Sequence, residues 1–296
     1  PPRLQRRRET GRGRRSRRRG RMTPSVFWVA VLASGSKGNS TLLRCADGNF
    51  LIDMGVSCRR VKTALAELQL RPDELTAVFV THEHIDHVRG LATFFKQYDV
   101  PVYASRGTWR GMQSTCRLDF SAWPACHILT PGESVVFHRL RVESFATSHD
   151  ALQPSGYVFH LGDHRFGYLT DTGYVSDQAR RALDGAEVLV LESNHDTVLL
   201  KNGPYPLPLK KRILSAKGHL ANDAAARFLV SLEQPPREVF LAHLSQENNT
   251  PQVALATVEG LVRQMRPAAE IRFFVTSQER VTKNDEWRIP HEASLF

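Results

Sequence analysis

The chain has 296 residues, 41% of them hydrophobic, enough to bury the core of one large α/β domain or of two small ones. It contains no run of eighteen apolar residues, which excludes a helical membrane span and a signal-peptide core, and its four cysteines (Cys45, Cys58, Cys116, Cys126) lack the spacing of a zinc ribbon or a disulfide framework. The net charge of +10 is confined to residues 1–21, with eleven arginines and one glutamate; residues 22–296 carry 29 basic and 29 acidic side chains and are neutral.

Residues 1–21 cannot form a core and are expected to be a disordered basic tail. Such a tail fits an arm that binds nucleic-acid phosphates. It also fits sequence upstream of a start at Met22, just before the first apolar run, and this second reading is preferred. One domain is expected over residues 22–296, in the cytoplasm, with its thiols reduced.

From Phe27 the pattern predicts a short meander of strands, Phe27–Leu32, Thr41–Arg44 and Phe50–Ile52, broken by Gly and Asn. Helical spacing follows over Val61–Leu70, then a strand over Thr76–Val80. Helices near Val88–Gln97 and Thr108–Thr115 alternate with a strand at Val102–Ala104. Strands dominate from Ser134 to Thr170, with Tyr157–Leu161 and Phe166–Leu169 joined by a turn at Gly162-Asp163-His164. Helix Ser176–Leu183, strand Glu187–Leu191, a long polar segment, helix Asn222–Leu232, strand Glu238–Leu241, helix Gln252–Gln264 and strand Ile271–Val275 complete the chain. Two halves, each running strands first and then helices, predict an α/β fold: a four-layer αββα sandwich with its site at strand ends between the sheets.

The densest chemistry is Thr81-His82-Glu83-His84-Ile85-Asp86-His87, directly after the apolar run Ala77–Val80. Three imidazoles and a carboxylate this close are costly to hold unless they share a cation, and neutral imidazole with carboxylate suits Zn, Mn or Fe. A buried strand would place the cluster on the loop at its end.

This string resembles the signature of the metallo-β-lactamase fold, in which two metals share a bridging hydroxide. The resemblance implies three further ligands downstream, and one candidate stands for each, in order. His149 follows the stretch ending at Phe145, Asp171 follows Tyr168-Leu169-Thr170, and His243 follows Val239–Ala242. Carried over, His82, His84 and His149 would hold one metal, Asp86, His87 and His243 the other, and Asp171 would bridge them. Two divalent transition-metal ions (Zn, Mn or Fe) about 3.5–4 Å apart activate hydroxide at neutral pH and stabilise a developing oxyanion, so the reaction expected is hydrolysis.

Four more segments narrow the resemblance: Leu32–Ser40, rich in Gly and Ser; Leu191-Glu192-Ser193-Asn194-His195-Asp196; Gly203–Ile213, a Pro-rich entry to a short basic helix with Lys210, Lys211 and Arg212; and Gly218-His219 paired with Ala242-His243 through Asn249. From about Val29 to Val275 the chain resembles the YycJ/WalJ-type branch, regarded as DNA exonucleases or phosphodiesterases. The Gly218-His219 … His243 spacing is also similar to the end of tRNA 3′-processing endonucleases. Ala221 departs from the Ser usual in the branch. The implied substrate is DNA ahead of RNA, with Asp86, His195 and His219 in catalytic roles, the two histidines as donors to the leaving alkoxide or to phosphate oxygens. Lys210, Lys211 and Arg212 would meet the nucleic-acid backbone or form a solvated helix face. The backbone N–H groups of Leu32–Ser40 would meet a phosphate or form a plain turn. His127, His138, His160, His164 and His291 are expected to be structural or exposed, and Ser148 and Asp150 to orient His149 or its loop. Two other functions fit less of the chain: a small-molecule hydrolase (thioesterase, lactonase or cyclic phosphodiesterase), and a non-catalytic regulator.

Overall fold

In the computed structural model, which describes residues 26–116, 119 and 123–285, the first apolar run forms β1 (Trp28–Ala33), with every side chain buried. A meander continues through β2 (Ser40–Cys45) and β3 (Gly48–Ile52). Helix α1 (Cys58–Glu67) starts where Ser57 accepts the Arg60 N–H at 3.2 Å, and leads to β4 (Ala77–Phe79). Two short helices, α2 (Ile85–Val88) and α3 (Leu91–Phe95), precede β5 (Val102–Ala104), α4 (Arg106–Cys116) and β6 (Cys126–Ile128).

The second half repeats the plan without repeating the sequence. A meander of β7 (Ser134–Phe137), β8 (Leu140–Ala146), β9 (Ser155–Leu161) and β10 (His164–Leu169) gives way to α5 (Asp177–Leu183) and β11 (Val188–Glu192). Then come α6 (Thr197–Asn202), α7 (Leu207–Ile213), α8 (Asn222–Ser231), β12 (Glu238–Ala242), α9 (Pro251–Met265) and β13 (Arg272–Val275). Strand β14 (Thr282–Lys283) returns to the first half.

The strands make two seven-stranded sheets, ordered β14-β1-β2-β3-β4-β5-β6 and β13-β12-β11-β10-β9-β8-β7. In each, antiparallel strands occupy one side and parallel strands joined by helices the other. Alternation along β1 shows the layering: Val29 and Val31 enter the core between the sheets, whereas Trp28, Ala30 and Leu32 face the helices of their own half. The second sheet does the same, Val188 and Val190 pointing inward and Leu189 and Leu191 toward α5 and α8. The arrangement is the four-layer αββα sandwich. Strands buried on both faces read as continuous apolar runs, which is why they stood out in the sequence.

Several expectations are corrected. The helix predicted near Val88–Gln97 is two, because Gly90 packs on the loop after β3, donating its N–H to Met54 O at 2.8 Å. Asp86 and His87 therefore lie on a helical turn and not on an open loop. The polar segment after β11 also holds α6, which starts where Asp196 accepts the Val198 and Leu199 N–H groups; the short basic helix expected after the Pro-rich entry is α7, with Pro208 in its first turn. Strands β6 and β14 are too short, and β6 too exposed, to carry a pattern. His164 begins β10 and pairs with Glu187 at 2.9 Å, so the turn is Gly162-Asp163 alone. The tail at residues 1–21, Met22 and His291 lie outside the described residues. No helix among the described residues is long and apolar enough to cross a membrane.

Phe79 occupies the centre of the inter-sheet core, its ring 5.2 to 5.3 Å from those of Tyr103, Tyr157 and Phe159. Phe79→Ala should destabilise the fold by about 3–5 kcal/mol in denaturant melts. A loss under about 1 kcal/mol would mean that the sheets do not close on this ring.

Candidate metal centre

The centre is built from turns that follow strand ends. Asp53, just past β3, adopts the left-handed conformation (φ 60°), which turns its carboxylate under the loop after β4. There it accepts the Thr81 N–H at 2.8 Å, the Thr81 hydroxyl, and the His87 Nδ1–H at 2.8 Å. His87 is thereby held with Nε2 toward Asp171 Oδ2, 3.2 Å away. Burial opposes protonation of His87, yet the carboxylates of Asp53, Asp171 and Asp86 outweigh it and raise its pKa well above the ordinary value.

Donors from both sheets meet here. His82, His84 and His149 each present an atom within 4.8 Å of the others; so do Asp86, His87 and His243. Asp171 is grouped with His82 and His87 on one side and with His219, His243 and Glu192 on the other. All seven residues selected from the sequence as ligands are thus brought together. Asp171 and His243 both sit at strand ends with φ of 54° and 55°, a conformation non-glycine residues seldom adopt, which bends each side chain back over the sheet. Asp171 Oδ1 lies 3.3 Å from His243 Nδ1 and 3.8 Å from His149 Nε2.

The residues fit a divalent cation. His82 Nε2 and His243 Nε2 are buried without a hydrogen-bond partner among the described residues, although buried nitrogens ordinarily find one. His149 is fixed by its Nδ1–H, donated to Gly218 O at 3.0 Å, so that Nε2 is the end left for a ligand role. Imidazoles oriented through their far nitrogen, together with carboxylates, form a donor set suited to divalent ions.

Sequence reasoning overlooked two groups. Glu192, the last residue of β11, is fully buried; its Oε1 accepts from His219 Nδ1 at 2.7 Å and lies 3.1 Å from His243 Nδ1, and its Oε2 accepts the Thr172 and Leu220 N–H groups. Burial pushes this carboxyl up, but His219 and His243 outweigh it and hold it at about 2. Asp53 is the other. The signal for both was the same: a carboxylate closing an apolar strand run, Ile52-Asp53 and Leu191-Glu192, which cannot stay buried without dedicated partners.

Of the proposed proton donors, His219 stands among the cluster, bonded to Glu192 and part-exposed, with its ring 5.0 Å from that of His149. His195 is buried outside the clusters; its Nδ1 faces Asn194 Oδ1 at 3.3 Å, burial pushes its pKa down to about 4, and its backbone bridges to Ala221. Asp150 lies 3.2 Å from His149 Nε2 and accepts from Arg212 at 2.6 Å, and Ser148 donates to Ala216 O. The loop Leu32–Ser40 serves structure: the N–H groups of Gly35, Lys37, Gly38 and Asn39 are all engaged within the protein, that of Asn39 by Asp86 O at 2.8 Å.

The model of the beta-lactamase superfamily domain matches residues 48–244. Exodeoxyribonuclease WalJ of Streptococcus pneumoniae serotype 2 is 36% identical over 264 residues, covering 88% of this chain and 98% of that protein. Exodeoxyribonuclease YycJ of Bacillus anthracis is 36% identical over 236 residues, covering 79% of this chain and 89% of that one. Among solved structures, the metallo-beta-lactamase fold protein YhfI from Bacillus subtilis superposes with a TM-score of 0.63 at 16% identity, covering 86% of this chain and 98% of its own.

Gly55 lies where the turn carrying Asp86 crosses the loop after β3. A Cβ there would overlap the Asp86 carbonyl oxygen and come within 2.7 Å of the Asn39 nitrogen. Gly55→Ala should displace Asp86 and His87 and lower the cation content measured by elemental analysis after reconstitution. Gly260→Ala, on α9 with nothing within 4 Å of the added Cβ, should leave it unchanged. Equal contents in the two variants would remove the α2 turn from the centre.

Proposed function

This chain belongs to the beta-lactamase superfamily, in the group of the exodeoxyribonucleases WalJ and YycJ, and on that footing we propose that it is a metal-dependent hydrolase of DNA phosphodiesters that works from a strand end. The observation that carries the reading is the convergence of two donor triads on Asp171, with His219 held beside them by a buried carboxylate. His82, His84 and His149 would hold one ion, Asp86, His87 and His243 a second, and Asp171 both. When bound, two such ions supply an activated water and neutralise charge on the phosphate.

The chain's own groups then have separate work. Asp53 holds His87 through Nδ1 and keeps its Nε2 aimed at the centre. Asp86 joins His87 and His243, so one carboxylate ties the α2 turn of the first sheet to β12 of the second. Glu192 fixes His219 through Nδ1, which leaves Nε2 as the nitrogen to carry the proton. As the bond between phosphorus and the leaving sugar oxygen breaks, that proton passes from His219 Nε2 to the alkoxide. His195, buried and neutral, takes a positioning role: its bridge to Ala221 steadies the backbone two residues past His219.

Elemental analysis of protein purified without chelator should approach two equivalents of Zn, Mn or Fe; a value below one after reconstitution contradicts the paired site. His219→Ala should lower turnover of DNA by roughly 10²–10⁴-fold while metal content holds. Bis(p-nitrophenyl) phosphate, whose phenolate leaves without a proton, should be affected far less. Equal loss on both substrates would reassign His219 to phosphate binding. Turnover of a thioester with none of DNA would favour the small-molecule alternative.

A further inference from the structure

The loop between β8 and β9 does more than carry His149. Gln153 is strapped to the start of α4: its side chain accepts the Gly107 N–H at 2.9 Å, and its carbonyl accepts the hydroxyls of Ser105 at 2.7 Å and Thr108 at 3.2 Å. One residue earlier, the Leu152 N–H donates to Glu83 Oε1 at 2.7 Å. Glu83, between His82 and His84 in the chain, is buried, and Gly111 of α4 packs on it so closely that an added Cβ would come within 2.4 Å of its Cγ. The Leu152 backbone is therefore fixed, yet its side chain is 54% exposed and belongs to none of the three core clusters.

A second apolar side chain stands on the other side of this tie. Ile85, the first residue of α2, lies between the ligand candidates His84 and Asp86 and is 47% exposed. The two backbones are joined at two points: Glu83 holds Leu152, and His84 Nε2 lies 4.0 Å from Asp150 Oδ1. One turn along, the Arg89 N–H donates to Ile85 O at 3.0 Å, which sets these two side chains on one face of the turn. Arg89 is exposed, has no ion-pair partner among the described residues, and donates only weakly to the Lys37 carbonyl at 3.4 Å.

Apolar side chains scattered singly on a surface need no explanation. These two are held out on fastened backbone, beside His84, Asp86 and His149, with an unpaired guanidinium next to one of them. Apolar surface adjoining a cation, at the mouth of a phosphodiesterase centre, matches a nucleotide: a base face adjoining a phosphate.

We infer that Ile85 and Leu152 form a platform for the terminal base of a DNA strand, and that this platform directs the centre to strand ends. Within a strand both faces of a base are covered by its neighbours, so packing it on a protein first requires unstacking. Only the last base has an open face. An apolar platform therefore stabilises a bound end and contributes nothing to a bound interior, whether the strand is single or paired. This inference rests on the reading of the centre as a DNA phosphodiesterase that works from a strand end.

The test pairs Leu152→Ser with removal of the base from the substrate, in the full-length, metal-loaded protein. Linear oligonucleotides, single-stranded and duplex, end either in ordinary nucleotides or in tetrahydrofuran residues that lack a base, and release of the first nucleotide is followed. Removing the terminal base should lower kcat/KM of the unaltered protein by roughly 5- to 10-fold, as expected for covering the exposed half of an aliphatic side chain. Leu152→Ser should lower it by a similar factor on ordinary ends, and removing the base should then cost that variant less than about 2-fold, because the interaction is already gone. Ile85→Ser should behave alike; should it lose metal, Leu152→Ser, whose backbone bond to Glu83 persists, decides alone. Val136→Ser, exposed on β7, should match the unaltered protein on both kinds of end. Losses that simply multiply, or no loss on removing the terminal base, overturn the platform, since a side chain with a purely structural role is indifferent to that base. A closed circle degraded as fast as the linear form overturns the end preference. If linear DNA is not cleaved at all, the phosphodiesterase reading fails, and the same four combinations, scored as binding of the oligonucleotides, decide the platform separately.

Discussion

An ionised carboxylate inside an apolar sandwich survives only where donors surround it, and Asp53 and Glu192 meet that condition in matching places. One follows β3 in the first sheet; the other ends β11 in the second. Asp53 takes one backbone N–H and Glu192 two, and each also takes the Nδ1–H of an imidazole, so both histidines present Nε2. His87 and His219 are oriented by these two anchors. Removing either carboxylate would leave its histidine present in the chain and free to turn.

The two halves of the centre must also be held at a fixed separation, and one loop does much of this. Ser34 accepts the His243 N–H at 2.7 Å, which fixes a residue of the second sheet, while Asn39 in the same loop holds the Asp86 carbonyl in the first. Gln278 in turn grips that loop from behind, donating to Gly38 O and accepting the Lys37 N–H. Asn284 adds a tie between the sheets, bonding to β1 through the Val29 N–H and to Glu238 at the start of β12. The aromatic layer around Phe79 fills the space that these polar ties span.

Much of this was legible in the sequence, for a physical reason. Strands buried on both faces carry few polar residues, so the ligands appeared within a few residues of the end of an apolar run: His82 after Val80-Thr81, Asp171 after Leu169-Thr170, His243 directly after Ala242. The α2 turn was not legible, because four residues are too few for a helical period and His84, Ile85 and Asp86 give no cap signal. Glu192 was hidden by its neighbour His195, the more conspicuous candidate, and Asp53 by standing alone, since a single acid after a strand reads as part of the loop. The topology of β14 could not be read at all, since two residues carry no pattern and their partner, β1, lies at the other end of the described chain.

That last pairing sets an order of assembly. Among the described residues Ala30 and Val31 of β1 find their outer partners in Lys283 and Thr282, so a chain emerging from the ribosome keeps an apolar sheet edge open until β14 has been made. The loop carrying His82, His84 and His87 is made before Asp171 and His243, and Gln278 and Asn284 come later still. A half-made chain is therefore at risk of sticking to its neighbours, and it lacks the groups needed for an untimely cut. The closing strand acts as a completion check on the sandwich: the β1 edge is covered only after Asp171 and His243 have been made, so protection of the edge and assembly of the centre both wait for residues far along the described chain.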